Sequence, residues 1–308
     1  MATEFPVGIL NPNQLHTDKE AVLNESTWRL LVQGDSWFSI GQLPPWLTGN
    51  ILFALRFPVL SAAVSYASPG KTFAQMVDWH HESSFDAVLA GGRLAYQWDA
   101  ILLSAGGNDL FDAILTSPDE TDPGKASRRL LLMPAERPES GGVARYVRSV
   151  GWVNFLRLLT DCFEALIEKR DSAGSRSRFV PILVHTYDYP QPRWAPAGPG
   201  IGPWLARAFK DYQIPPDDWL PLTRHLIQQW AQFLSGINAA LSRDRGIVNP
   251  NVAPINLIGT LTPAPAGSTG ESGDWRNEIH PSFHGYGKLA IAYEKQVHIA
   301  QNVAAAAA

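Results

Sequence analysis

Five short apolar runs, each closing on a small or polar turn, constrain this chain more than any other feature. Residues 28–33 lead into Gly34-Asp35-Ser36, and residues 61–65 lead toward Pro69-Gly70. Residues 100–104 run into Gly106-Gly107-Asn108-Asp109, 179–184 into His185-Thr186-Tyr187-Asp188, and 253–258 into Gly259-Thr260. The runs are apolar on both faces rather than alternating, the pattern of strands covered by helices on either side. Between them, apolar residues recur at three and four across 155–167 and 226–241, which predicts helices. A last helix is expected over about 284–303, with Tyr286, Leu289, Tyr293 and Val297 inward. Strand–helix alternation of this kind predicts an α/β fold, a parallel sheet between two helix layers. Ligands in such sheets bind at the carboxyl ends of the strands, where the Gly-, Ser- and Asn-bearing turns fall.

At 308 residues the chain can bury a sizeable core in one large domain or two small ones. A single domain over 1–308 is expected, with insertions at about 110–148 and 188–222. The second insertion is rich in proline and carries Trp194, Trp204 and Trp219, so it reads as a candidate lid. Hydrophobic residues at 45% against 18% charged fit a globular chain. A net charge of −4 gives no basic field for nucleic acid. The single cysteine, Cys162, excludes an internal disulfide framework and a Cys-rich zinc site. The N-terminus has neither a basic region nor an apolar run of signal type, and no stretch reaches the length of a membrane span. The simplest placement is cytoplasmic, with a processed secreted form as the alternative. Oligomeric state is not legible.

Three segments carry chemistry. Ser36 follows the first strand, where a strand-to-helix turn would expose its hydroxyl and put its N–H at a helix N-terminus. An ordinary N-cap is the competing reading. The Gly-x-Ser-x-Gly elbow is not met, because Phe38 takes the second glycine position. Asn108 follows the third strand and has an amide able to donate to an oxyanion, although Gly-Asn is also good turn chemistry. His280, followed by Pro281 and Ser282, could be a general base or a loop histidine at a helix entry.

Taken together, Gly34-Asp35-Ser36, Gly70, Gly106-Gly107-Asn108-Asp109 and the segment ending in His280-Pro281 resemble the blocks of the SGNH, or GDSL-like, hydrolases, in order and over roughly residues 28–300. The resemblance implies a flavodoxin-like three-layer α/β/α sandwich with a parallel five-stranded sheet in the order 2-1-3-4-5. It implies Ser36 as nucleophile and His280 as base. It implies an oxyanion hole from the N–H groups of Ser36 and Gly70 and the Asn108 side chain. The activity implied is hydrolysis of carboxylic esters, with a small-molecule ester or acylated substrate and no cofactor or metal. One position departs. The family's acid lies three residues before the histidine, and here that residue is Asn277. Asp274 is the favoured substitute, Asn277 in a Ser–His–Asn arrangement the second option, and a slow dyad the third. Glu278 reads as a solvated loop acid.

Trp37, beside the nucleophile, is expected to line the substrate pocket. Tyr187 could line it or only cover the core edge, and the same holds for Tyr189. Trp204 belongs with the aromatic wall of the proline-rich segment. His80-His81-Glu82 lacks a third ligand motif for a metal. No nucleotide-binding glycine pattern appears. Two rival functions stand beside the esterase: a carbohydrate O-deacetylase of the same chemistry, and a non-enzymatic binding or assembly protein with an impaired triad.

Overall fold

Leu30, Leu31 and Val32 are sealed from solvent, and so is every residue of the two strands that flank them. A computed structural model of the chain describes residues 4–17, 20–39 and 49–307, with side chains as far as Val297. Its main sheet has six strands: β1 (Gly8–Leu10), β2 (Trp28–Gly34), β3 (Ser61–Ser65), β4 (Ala100–Ser104), β5 (Ile182–His185) and β6 (Val252–Ile255). All pair in parallel, in the order β1-β3-β2-β4-β5-β6. Leu30 lies opposite Ala63 on one side and Ala100 on the other. The five expected strands thus keep the order 2-1-3-4-5, and the sheet is extended from five strands to six by β1 at the edge. That strand is three residues long and closely followed by Pro12, too short to show a period. The fourth strand starts later than expected, at Ile182. Pro181 cannot donate to the ladder, and Phe179 sits at φ +64°, outside strand geometry.

Helices cover both faces. The turn α1 (Ser36–Ser39) follows β2, α2 (Phe73–Met76) follows β3, and α3 (Gly107–Leu115) follows β4. Then come α4 (Ser149–Arg170), α5 (Leu205–Asp211), α6 (Trp219–Arg245) and α7 (Phe283–Ala307). On one face α4 packs on α2 through Phe163 and Phe73 and on α6 through Phe155 and Trp230. The other face is closed by α7, whose Tyr293 meets Phe38 and His185. Its inward residues Tyr286, Leu289, Tyr293 and Val297 are all buried. Residues 110–148 hold the end of α3, a short helix Pro123–Arg128 and 3-10 turns, with one isolated antiparallel bridge between Leu131 and Val147. No helix among the described residues is long and apolar enough to cross a membrane.

Candidate active site

The carboxyl ends of β2, β3 and β4 lie side by side, so the turns that leave them share one edge of the sheet. At the first turn the chain must pass close to β4. A Cβ on Gly34 would come within 2.8 Å of the Ser104 Cβ, so only glycine fits there. The next residue, Asp35, is buried and fixes the turn. Its N–H donates to the Ser104 carbonyl at 3.0 Å. Its Oδ1 accepts from Ser104 Oγ at 2.6 Å and from the Trp37 N–H at 3.0 Å, and its Oδ2 accepts from the Tyr187 hydroxyl at 2.5 Å. Burial pushes this carboxyl up to about 6 against the pull of those donors. Ser36 is therefore the first residue of α1 on a turn that is pinned from three sides.

Across the sheet edge, in the loop between β6 and α7, His280 turns its Nε2 to Ser36 Oγ at 2.9 Å. Its Nδ1 lies 3.1 Å from Asn277 Oδ1. That amide oxygen also accepts the backbone N–H groups of Ile279 and His280, at 3.1 and 2.9 Å. The two backbone donors orient the amide so that its oxygen, not its NH2, faces the ring. Nδ1 must then carry the proton, which leaves the Nε2 lone pair free to accept from the serine hydroxyl. Burial, with the Arg276 cation adding to it, holds the His280 ring down at about 4.

Asp274 does not reach the ring. Its Oδ2 accepts from Lys288 Nζ at 2.7 Å and from the Thr262 N–H at 2.6 Å. Burial alone would raise this carboxyl, but Lys288 and the Thr262 hydrogen bonds hold it below its usual range. The residue ties its own loop to α7 and to Thr262, and the contact with His280 belongs to Asn277.

Asn108 lies in the first turn of α3, and its Nδ2 donates to the Lys71 carbonyl at 3.0 Å. The amide is thus tied to the loop that holds Gly70, which is exposed at φ +77° and lines a cleft with Gln75, His81 and Glu82. Lys71 is anchored in turn by Glu82 at 2.8 Å. His81 pairs with Asp78 at 2.7 Å and packs against His80.

Trp37, Tyr187, Trp275, Ile279, Leu110 and Ile227 line a narrow apolar cavity of about 20 Å³. Three of its lining residues, Trp37, Gly107 and Ile279, are the sequence neighbours of Ser36, Asn108 and His280. The Trp204 ring stands edge-on to His280 with centroids 5.7 Å apart. Trp194 is instead half in solvent, with Lys210 over its ring, and Trp219 packs on Phe209. Of the three tryptophans in the proline-rich segment, Trp204 is the one in contact with His280. Tyr189 meets Arg224 rather than the serine turn.

The sequence reading missed Glu278. Far from being solvated, it is fully buried. Its carboxylate accepts the backbone N–H groups of Arg193 at 3.1 Å, Leu205 at 2.9 Å and Ala206 at 2.8 Å, and that of Trp204 as well. It caps α5 and clips the proline-rich segment to the loop of His280. The fully buried Arg193 reinforces the clip by donating to the Asn277 carbonyl at 2.8 Å. Replacing Glu278 by alanine strands four buried donors at about 1–3 kcal/mol each before relaxation. A net loss of about 3 kcal/mol or more is expected, read as a lower midpoint in urea unfolding. An unchanged midpoint would refute this assignment.

Comparison with known proteins finds solved structures of similar chain course at low identity, several of them named as SGNH or GDSL-like hydrolases. The likeness is to the SGNH, or GDSL-like, hydrolases. A GDSL-like lipase of Bacteroides thetaiotaomicron is 10% identical, with 94% of each chain covered and a TM-score of 0.41. A candidate SGNH hydrolase of Slackia heliotrinireducens is 11% identical, covering 88% of this chain and 98% of its own, at a TM-score of 0.40. A lipase from a goat rumen metagenome is 13% identical, covering 89% and 97%, at 0.36. No family model and no curated protein matches. What the site does chemically has to follow from its own geometry: a serine hydroxyl, a correctly protonated imidazole and an amide that orients it.

Proposed function

We propose that the chain is a serine hydrolase that cleaves carboxylic esters through an acyl-enzyme on Ser36. The observation that carries this is the 2.9 Å approach of His280 Nε2 to Ser36 Oγ, with Nδ1 held by Asn277. Ser36 Oγ attacks the ester carbonyl while its proton passes to Nε2. The charge that develops on the carbonyl oxygen is met by the Ser36 N–H at the start of α1, the Gly70 N–H and the Asn108 amide. For that, Asn108 has to turn from the Lys71 carbonyl to the substrate. The tetrahedral adduct collapses, the alcohol leaves with the proton from Nε2, and the acyl group stays on Oγ. Water, deprotonated by the same nitrogen, then releases the carboxylic acid and restores the serine. No step calls for a cofactor.

The apolar cavity lined by Trp37, Gly107 and Ile279, the sequence neighbours of Ser36, Asn108 and His280, has room for about one water-sized group. That favours a short acyl chain such as acetyl, and with it the reading of an O-deacetylase acting on an acetylated carbohydrate. A non-enzymatic binding protein is the reading that the absent acid at 277 favours. The deciding experiment treats the protein with a fluorophosphonate, maps the adduct, and then runs a chain-length series of p-nitrophenyl esters beside acetylated sugars. The expected result is an adduct on Ser36 and the highest kcat/KM with acetyl esters. A protein that is neither labelled nor active on any ester would leave the binding reading in its place.

A further inference from the structure

Tyr187 sits two residues beyond the end of β5, between the two halves of the site. Its hydroxyl donates to Asp35 Oδ2 at 2.5 Å, and its ring meets Trp37 edge-on at 5.0 Å. Those are the residues on either side of Ser36. The opposite side of the molecule's contact set is just as close. A Cβ on Gly107 would come within 2.5 Å of the tyrosine ring, so the backbone that carries Asn108 is pressed against it. One buried side chain thus touches both the turn that aims the nucleophile and the first turn of the helix that bears the oxyanion-side amide. The other ties on Asp35, from Ser104 and the Trp37 N–H, hold the turn to β4 and to itself and make no link to α3.

We infer that Tyr187 is a positioning residue that fixes Ser36 relative to Asn108 through Asp35 on one side and Gly107 on the other. The inference rests on the reading of the site as a serine hydrolase. It assigns Tyr187 a task other than lining the acyl cavity. A misplacement of about 1 Å between reacting groups costs up to ~100-fold in rate. A group that sets such a spacing should therefore act on the chemical step rather than on substrate capture.

Tyr187→Phe keeps the ring against Gly107 and Trp37 and removes the hydroxyl, which donates to Asp35 and also interacts with Ser104 and the Gly107 backbone. The expected result is a fall of ~10- to 100-fold in kcat for p-nitrophenyl acetate with KM within about twofold. The rate of fluorophosphonate labelling of Ser36 should fall in parallel, measured per folded molecule. Ser104→Ala, which removes a different donor from Asp35 and leaves the link to α3 intact, should cost distinctly less. It also provides the comparison if the tyrosine variant is poorly stable, because equal losses in labelling rate per folded molecule would overturn the inference. A higher KM at unchanged kcat would overturn it too and make Tyr187 a pocket residue. So would parental kcat and labelling rate in Tyr187→Phe. If the parent protein itself is not labelled at Ser36, it is the hydrolase reading that fails, whereas a labelled parent with an unaffected variant removes only the role of Tyr187.

Discussion

Ser36→Ala is expected to lower ester turnover by ~10⁴-fold or more while the protein unfolds at nearly the parental temperature. The size follows from the role: a nucleophile acts as a unit with its base, and losing it removes almost all of what the pair contributes. The intact fold follows from the local structure. The side-chain contact of Ser36 is with His280, at 2.9 Å. The turn itself is held by neighbours: Ser39 Oγ donates to the Asp35 carbonyl at 2.8 Å, and the Asp35 carboxylate accepts from Ser104, Trp37 and Tyr187. Alanine leaves all of these in place, and the lost hydrogen bond is worth about 1 kcal/mol. Initial rates on p-nitrophenyl acetate and a thermal melt of the same preparation check both halves. Parental turnover in this variant would remove Ser36 from the mechanism.

Asn277→Asp is expected to raise turnover, by about tenfold or more, in the opposite direction to most active-site substitutions. Asn277 already supplies orientation, since its Oδ1 accepts from Nδ1 and from two backbone N–H groups. In a serine protease the Asp-to-Asn exchange costs ~10⁴ largely because the amide selects the wrong tautomer. Here the backbone donors enforce the right one, so what is missing is charge. His280 is buried, with the Arg276 cation adding to the cost of protonation, and its ring is held at about 4. An imidazolium formed in the transition state is accordingly poorly supported. A carboxylate at 277 would stabilise it, each tenfold in rate corresponding to one unit of pKa. The pH dependence moves with it. A base held at about 4 stays neutral well below the usual histidine range, so the acid limb of kcat/KM in the parent is expected well below that range. In Asn277→Asp that limb moves up in pH, because the carboxylate favours the protonated ring. Asp274→Asn should not move it, since that carboxylate answers to Lys288 and Thr262. A variant slower than the parent with an unmoved limb would refute the argument.

These expectations draw on parts of the chain that differ in how openly the sequence displays them. Strands β2 to β6 are legible because burial on both faces needs continuous apolar runs, and the turns that end them need Gly, Asn and Ser. The contact between Ser36 and His280 is foreshadowed by the order of the motifs, although 244 residues separate them. Sequence favours Asp274 over Asn277 and the structure reverses that order, because which side chain faces the ring depends on the fold of one loop. Trp275 pairs in an isolated bridge with Pro281 inside it. Glu278 is illegible for a related reason. Its neighbours Arg276 and Asn277 are polar, so the segment looks solvated, and the N–H groups that bury it lie more than seventy residues away. The tryptophans divide likewise: Trp37, Trp204 and Trp275 border the site, whereas Trp98 and Trp230 fill the core and Trp194 faces solvent.

The four N–H groups gathered on Glu278 have a consequence for how such a site could change. The Glu278 carboxylate holds the Trp204 N–H and stands two residues before His280, so the wall that borders the base is tied to the loop that carries it. A bulky substrate cannot push Trp204 aside without dragging on the loop that aims the imidazole. Altering residues 193–206 is accordingly expected to disturb the loop of His280 as well. Leu110 and Ile227, on the cavity wall that the Glu278 carboxylate does not hold, are free of that constraint.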